Sequence, residues 1–143
     1  WFNYPLGVLH GCLQEGHDLS GLDLLFYGNL PVGAGLSSSA SIEVLTGFAI
    51  ASLFGLKTDR KEIALLAKDA ENHFIWVNCG IMDQFAVAMG QKDHAILLNC
   101  DQLAYEYIPF KTGSYSLLII NTNKQRSLAD SKYNSASLNA EPY

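Results

Sequence analysis

Apolar residues at helical spacing mark the first segment of the chain. They stand three or four positions apart, at Phe2, Leu6, Leu9 and Leu13. This spacing predicts a helix that packs through these side chains, because residues three and four apart share one helix face. Gly16 follows them and is the residue type expected just beyond a helix end.

Three more helices are predicted further along, over residues 38–54, 58–74 and 82–89. The first of these is apolar on nearly every side, so we expect it to be buried. The second opens with a Thr-Asp pair, either residue of which is a candidate N-cap, and Glu62 stands at capping-box spacing. The third is followed by a glycine, which favours a helix end there.

Shorter apolar runs predict four strands, over residues 22–28, 94–99, 104–110 and 115–122. The second and third of these are separated by a polar turn. Leu117–Ile120 is a continuous apolar run, which is typical of a central strand that is covered on both faces.

The loop between the first predicted strand and the next helix is rich in Gly and Ser, and it covers residues 28–43. A helix start leaves backbone N–H groups without partners, and these groups and the helix dipole favour an anion. Gly33 and Gly35 lack a Cβ, so a phosphate can approach the backbone and φ can be positive. The hydroxyls of Ser37–Ser39 add donors and N-cap oxygens. The pattern predicts a phosphate site.

Two common phosphate loops do not fit this sequence. A P-loop needs a Lys after its last Gly, and no Lys occurs from Gly28 to Gly55. The Gly-x-Gly-x-x-Gly dinucleotide motif fails because Ser38 stands at the third glycine position. A lone Gly-x-Gly is more often an ordinary strand–helix turn, so these glycines alone leave that alternative open.

Charge and cysteine content narrow the class of protein. The 143 residues include 9 basic and 14 acidic side chains, a net charge of −5 that argues against nucleic acid or an anionic membrane as main partner. Cys12, Cys79 and Cys100 are widely spaced, which fits neither a disulfide framework nor a zinc site. The longest uncharged helical run is too short to span a bilayer, and we expect a cytoplasmic protein.

Two carboxylates and one tyrosine are candidates for chemistry. Glu71 lies near the end of a predicted helix without a basic residue four positions later; its alternative role is that of a solvated helix residue. Asp83 lies among apolar neighbours at a predicted helix start; its alternative role is a charge that interacts with the helix dipole. Tyr133 is by itself more often a half-buried packing residue.

Taken together, four segments resemble one family. The run from Pro31 to Ala40 resembles the ATP-binding loop of the GHMP kinases. Residues 70–74 and 79–86, with the pair of blocks inside 121–134, are similar to the galactokinase branch of that family. The resemblance extends in unbroken order from the first residue to about Asn134.

The resemblance implies a set of roles for this chain. Asp83 would be the catalytic residue that accepts the proton of the sugar hydroxyl, and Ser39 with Glu71 would hold Mg²⁺. Sugar binding would involve Gly80, Asp83 and Tyr133. The residues implied to wrap the ATP phosphates are Gly33, Ala34, Gly35, Leu36, Ser37, Ser38 and Ser39.

The same resemblance implies an α+β fold, the N-terminal domain of a GHMP kinase with a mixed sheet packed by helices. We expect residues 1–124 to be an incomplete form of this domain. Residues 125–143, with a helix predicted from Ser127, are expected to be the first segment of a second α+β domain or a frayed tail. The implied reaction is phosphorylation of galactose at C1 by ATP. A kinase for N-acetylgalactosamine and a non-catalytic galactose and ATP sensor are the alternatives.

The sequence also departs from the family pattern. The family's first motif, which carries an arginine and most sugar contacts, is absent, and so is its third, Gly-rich motif. We therefore expect the N- and C-terminal parts of a longer parent chain to be missing, and the fragment to be a poor kinase alone. Trp76 stands where the family usually has a small residue such as Gly.

Overall fold

A computed structural model describes residues 1–121. Four α-helices, one π-helical turn and two β-strands make up the regular structure of these residues. In chain order the elements are α1 (Asn3–Gln14), α2 (Ser38–Phe54), α3 (Arg60–Asp69), the π-helix (Ala70–Phe74), α4 (Met82–Met89), β1 (His94–Asn99) and β2 (Ala104–Pro109).

Local signals set the ends of the helices. At the start of α3, Asp59 Oδ1 accepts hydrogen bonds from the backbone N–H groups of Lys61 and Glu62, at 2.8 and 2.9 Å. Glu62 Oε2 in turn accepts from the N–H of Asp59 at 2.7 Å, so the predicted capping box is confirmed. Gly16 and Gly55 follow α1 and α2 with φ of 84° and 63°, as expected for left-handed helix ends.

The predicted packing face of α1 is confirmed only at Leu9, which packs on a core cluster, and is wrong at its other positions. Phe2 and Leu13 remain 62% and 53% exposed, whereas Val8 and Cys12 are 0% and 2% exposed. The reason is a close helix contact on the face that carries Gly7. A Cβ added to Gly7 would lie 3.1 Å from the Cβ of Ala70 in the π-helix, which is tighter than an ordinary van der Waals contact, so glycine favours this approach.

The expectation that α2 is buried all round is also wrong. Its inner side packs on α1, α3 and α4 and includes Val44 and Ile50, which are 8% and 0% exposed. Leu45, Phe48 and Leu53 on its other sides are 48%, 52% and 63% exposed. An apolar composition predicts burial only where other elements cover the helix, and in residues 1–121 they cover one side.

The two strands form an antiparallel hairpin with Ile96 opposite Tyr107. Asn99 Oδ1 accepts from two backbone N–H groups of the turn, and this stabilises the chain reversal. The hairpin packs on α4: the ring of Tyr105 lies 5.3 Å from that of Phe85, and the Tyr107 hydroxyl donates to a backbone carbonyl at the end of α4, 2.6 Å away. These contacts place one strand face against the helices.

Two predicted strands do not form. Residues 22–28 and 115–121 have no regular secondary structure, and Leu25 and Leu118 are 97% and 78% exposed. An apolar run becomes a strand only when a neighbouring strand pairs with its backbone, and within residues 1–121 only β1 and β2 are paired. The α+β class is confirmed, but the sheet of the described part has two antiparallel strands and is not mixed.

Several predictions fall outside the described residues. The last residue of the fourth predicted strand, the helix predicted from Ser127, the separate segment 125–143 and Tyr133 all lie there. Within residues 1–121, none of the helices combines the length and the apolar character that a membrane crossing requires.

Candidate active site

The Gly- and Ser-rich loop presents an open backbone in front of α2. Gly33 and Gly35 both have φ of 73°, so the predicted positive φ is confirmed, and a Cβ on either would meet no atom within 4 Å. Because α2 begins at Ser38, the first N–H groups of this helix stand directly after the loop. The loop therefore has both the space and the donors that an anionic group needs.

Ser37 links this loop to the acid at the start of α4. Its hydroxyl donates a hydrogen bond of 2.8 Å to Oδ2 of Asp83, which lies 46 positions later in the chain. Ser37 is the N-cap residue of α2 but makes no side-chain cap bond, so the N-cap role expected for its oxygen is wrong. Its φ of 54° is left-handed, a conformation that costs a non-glycine residue about 1–3 kcal/mol. The Ser37 hydroxyl therefore bonds to Asp83 and does not cap α2.

Glu71 lies in the π-helix that follows α3. The N–H of Ile75 donates to the carbonyl of Ala70, five residues earlier, at 3.1 Å, which is the wide turn of a π-helix. Asn72 then fastens the next loop: its Oδ1 accepts from the N–H of Cys79 at 2.9 Å, and its Nδ2 donates to the carbonyl of Cys79 at 3.3 Å. This loop leads back to α4, so Glu71 is brought next to the residues at the start of that helix.

The carboxylate of Glu71 is buried and receives several donors. Its side chain is 1% exposed, and Oε2 accepts from Gln84 Nε2 at 2.7 Å and from the Cys79 thiol at 3.4 Å. Burial raises the pKa of Glu71, and the charge of Asp83 adds to that rise. The hydrogen bond from the Cys79 thiol, the nearby Ser39 hydroxyl and the hydrogen bond from Gln84 oppose the rise in the pKa of Glu71. The arrangement brings Ser39, Glu71 and Asp83 into one electrostatic cluster.

Glu43 is a second buried acid beside this cluster. It is 0% exposed on the inner side of α2, and neither of its carboxyl oxygens has a hydrogen-bond partner within the described residues. Burial first, and then the charge of Glu71, raise the pKa of Glu43 to about 9, against the influence of the Gln84 amide. Burial and the same two glutamates also raise the pKa of Tyr4 on α1. The acid at this position is therefore held neutral near pH 7.

The Cys79 thiol completes the surroundings of Glu71. Burial, followed by the charge of Glu71, raises the pKa of Cys79 to about 12. A thiol with this pKa stays protonated near neutral pH, so it donates to Glu71 and is a poor nucleophile. Its second acceptor is Asn72 Oδ1 at 3.2 Å. Cys79 is thus a hydrogen-bond donor of the cluster.

The structure brings together residues from four of the predicted positions: Ser37, Ser39, Glu71 and Asp83. Gly80 is exposed and lies just before α4, close in sequence to Asp83. Sequence reasoning missed four residues of the cluster: Glu43, Asn72, Cys79 and Gln84. Sequence position was the one signal available for them: Glu43 is one helical turn after Ser39, and each of the other three directly adjoins a predicted site residue.

Comparison with known proteins gives consistent matches. The model of a family described as the GHMP kinases N terminal domain matches residues 3–91. Curated galactokinases from Fusobacterium nucleatum and Bacillus subtilis are 58% and 56% identical to this chain over 135 residues. Each alignment covers 94% of this chain but 35% of the relative, so the chain spans about a third of the length of the curated relatives it matches.

A solved structure matches as well. A crystal structure of Lactococcus lactis galactokinase complexed with galactose superimposes with a TM-score of 0.88 at 43% sequence identity. The match covers 94% of this chain and 35% of that chain. The fold of the described residues is therefore similar to the corresponding part of that enzyme.

Proposed function

The chain belongs to the GHMP kinase family, and from this premise we propose that the protein carrying it transfers the γ-phosphoryl group of ATP to the C1 hydroxyl of galactose. The observation that carries the proposal is the 2.8 Å hydrogen bond from Ser37 to Asp83. It places an acid at the open anion-binding loop, and phosphoryl transfer needs an acceptor for a hydroxyl proton beside bound phosphates. The similarity to curated galactokinases supports galactose as the sugar.

The proposed reaction uses the Gly- and Ser-rich loop to bind ATP and Asp83 to accept a proton. The backbone and hydroxyls of residues 33–39 bind the ATP phosphates. Asp83 takes the proton of the C1 hydroxyl while that oxygen forms a bond to the γ-phosphorus, and the bond from the γ-phosphorus to ADP breaks. Most of the catalysis in such a transfer is positioning and charge stabilisation, and a general base adds about 10²–10⁴ in rate. Asp83, half-buried in the first turn of α4, suits the role of the base.

A magnesium ion fits the residues at this site. Glu71 Oε1 is buried without a hydrogen-bond partner within residues 1–121, and the Ser39 hydroxyl lies near enough to the same carboxyl group to lower its pKa. No group of three or more His, Cys, Asp or Glu in the described part could hold a metal, and Mg²⁺ commonly takes only one or two protein ligands together with phosphates and water. We assign Ser39 and Glu71 as its ligands. When bound, Mg²⁺ would neutralise charge on the phosphates.

The remaining assignments rest on the family resemblance alone. Gly80 and Tyr133 would contact the sugar with Asp83, and Tyr133 lies outside the described residues. Residues 125–143 would begin a second domain. A cytoplasmic location agrees with the use of ATP as substrate.

Nucleotide binding tests the loop assignment. Gly35→Val in the protein carrying this chain is expected to weaken MgATP binding by about tenfold or more, because a branched side chain occupies the space a phosphate needs. The matched control is Gly16→Val, since Gly16 also has positive φ and no atom within 4 Å of an added Cβ but lies far from the loop in sequence. Calorimetry gives both affinities. Equal MgATP affinity in the two variants would rule out the loop as the phosphate site.

A further inference from the structure

Gln84 stands between the two acids of the proposed kinase site. It directly follows Asp83 in the first turn of α4, and its side chain is 1% exposed. Its Nε2 donates a 2.7 Å hydrogen bond to Oε2 of Glu71, which lies 13 positions earlier. One helical turn therefore carries the candidate base Asp83 and, on the adjacent residue, the donor of the shorter hydrogen bond to the candidate metal ligand Glu71.

An amide is chemically suited to this place. It cannot ionise, so it donates to a carboxylate at every pH, whereas a charged neighbour would change the electrostatics of the cluster. The other donor to Oε2 is the Cys79 thiol at 3.4 Å, and a thiol is a weak donor. Without Gln84, a fully buried carboxyl oxygen would depend largely on that weak bond, which is costly for a buried polar group.

The two oxygens of Glu71 are used differently. Oε2 accepts hydrogen bonds from Gln84 Nε2 and the Cys79 thiol, whereas Oε1 is buried and has no hydrogen-bond partner in the described part of the chain. A carboxylate held through one oxygen presents the other in a fixed direction. Donors that orient a metal-binding carboxylate typically change metal affinity by about 10–100-fold when they are removed.

We propose that Gln84 is a positioning residue for phosphoryl transfer. Its amide holds the carboxylate of Glu71 in a fixed orientation relative to Asp83, so that Oε1 of Glu71 is free to bind Mg²⁺. The inference rests on the proposed function. Gln84 itself touches neither the phosphates nor the sugar. Its effect reaches the reaction through the metal-binding carboxylate.

The test measures Mg²⁺ binding rather than turnover. In the protein carrying this chain, with an ATP analogue that cannot transfer its γ-phosphoryl group, Gln84→Met removes the donor and keeps the length of the side chain. The Mg²⁺ concentration for half-maximal binding of the analogue is expected to rise by about tenfold or more, while binding without metal stays unchanged. The control is Gln102→Met in the exposed hairpin turn, which should leave both values unchanged.

A double variant separates positioning from general damage. In a Glu71→Gln background, Gln84→Met should add little to the Mg²⁺ requirement, because the carboxylate it orients is already gone. A Gln84→Met protein that is folded and keeps the wild-type Mg²⁺ requirement overturns this inference alone. If the unmodified protein binds no analogue in a Mg²⁺-dependent way, the proposed function itself is wrong.

Folding is checked with a second substitution. Gln84→Leu also removes the donor and introduces no group that ionises, so it should raise the Mg²⁺ requirement in the same direction. If neither the Met nor the Leu variant folds, Gln84 is a structural residue and the positioning role is overturned.

Discussion

Glu43 lies on an apolar helix with its carboxyl group 0% exposed and with Glu71, Gln84 and Tyr4 around it. Its pKa rises from the usual value near 4.5 to about 9 in the folded protein. Between these two pH values the folded state keeps a proton that the unfolded state has lost. The free energy of unfolding therefore decreases as the pH rises from about 4.5 to about 9, by at most about 1.4 kcal/mol per pH unit.

Glu43→Gln should remove this dependence, since an amide has no proton to lose. In buffer without divalent ions we expect a higher melting temperature than wild type at pH 8 and a similar one at pH 4. Glu106→Gln on the exposed side of β2 serves as the control and should leave the pH profile unchanged. Parallel stability profiles for wild type and Glu43→Gln, measured by thermal unfolding, would show that Glu43 is not held neutral.

Trp76 has a strained backbone conformation, and its largely exposed side chain contributes little to stability. Its φ is 63° and it is 79% exposed. Relief of a left-handed non-glycine residue yields about 1–2 kcal/mol, and the greater freedom of unfolded glycine takes back about 0.5–1 kcal/mol. Trp76→Gly should therefore stabilise the protein by about 0.5–1 kcal/mol in denaturant unfolding.

Trp76→Ala separates strain from the loss of the indole ring, because it removes the ring and keeps the Cβ. We expect no comparable gain from it. Equal stabilisation by Ala and Gly would mean that the exposed indole, and not the backbone, is the source of the effect.

For single residues, the sequence predicted the properties that depend on the chemistry of the residue itself. The positive φ of Gly33 and Gly35 follows from the missing Cβ and was predictable. The bond from Ser37 to Asp83 spans 46 positions, and local propensity instead suggested a helix cap. Glu43 resembles a surface residue by type, and only the packing of four helical elements shows that it is buried.

Among the elements, helix α1 depends on a glycine contact. A Cβ on Gly7 would stand 3.1 Å from both Ala70 Cβ and Phe74 Cδ1. Gly7→Val forces the helix away from the π-helix, and we expect a loss of about 1–3 kcal/mol in the free energy of unfolding. Leu13→Val on the exposed side of α1 is the matched control and should change stability much less. Chemical denaturation of both variants measures the difference; equal losses would contradict the close contact.

Helix limits were predictable because their signals are local. The capping box of Asp59 and Glu62 and the glycine after residue 89 mark their helices within a few residues. The strands predicted at 22–28 and 115–122 do not form in the described residues, because a strand depends on partners that are often remote in sequence and only β1 and β2 are paired there. The packing face predicted for α1 was mostly wrong, because the spacing of apolar residues does not show where a glycine lets two helices approach each other.

For the whole molecule, the chain supplies one connected part of the proposed site. The Gly- and Ser-rich loop, the carboxylate of Glu71 and the carboxylate of Asp83 come from three separate segments that the helices hold together. The chain spans 35% of the length of its curated relatives, so galactose phosphorylation is proposed for the whole protein that carries this chain. Family resemblance predicted these roles from sequence, whereas the supporting contacts of Gln84 and Asn72 required the fold.

Turnover of the Asp83→Asn variant tests the central proposal most directly. In the protein carrying this chain, formation of galactose 1-phosphate from galactose and ATP is measured on the same sample as the melting temperature. Asp93→Asn is the control, because Asp93 is exposed and Asn tolerates its left-handed φ of 61°. We predict that Asp83→Asn stays folded, still binds ATP and loses about 10²–10⁴ in turnover, while Asp93→Asn keeps wild-type turnover. A folded Asp83→Asn protein with near wild-type turnover would contradict the proposal.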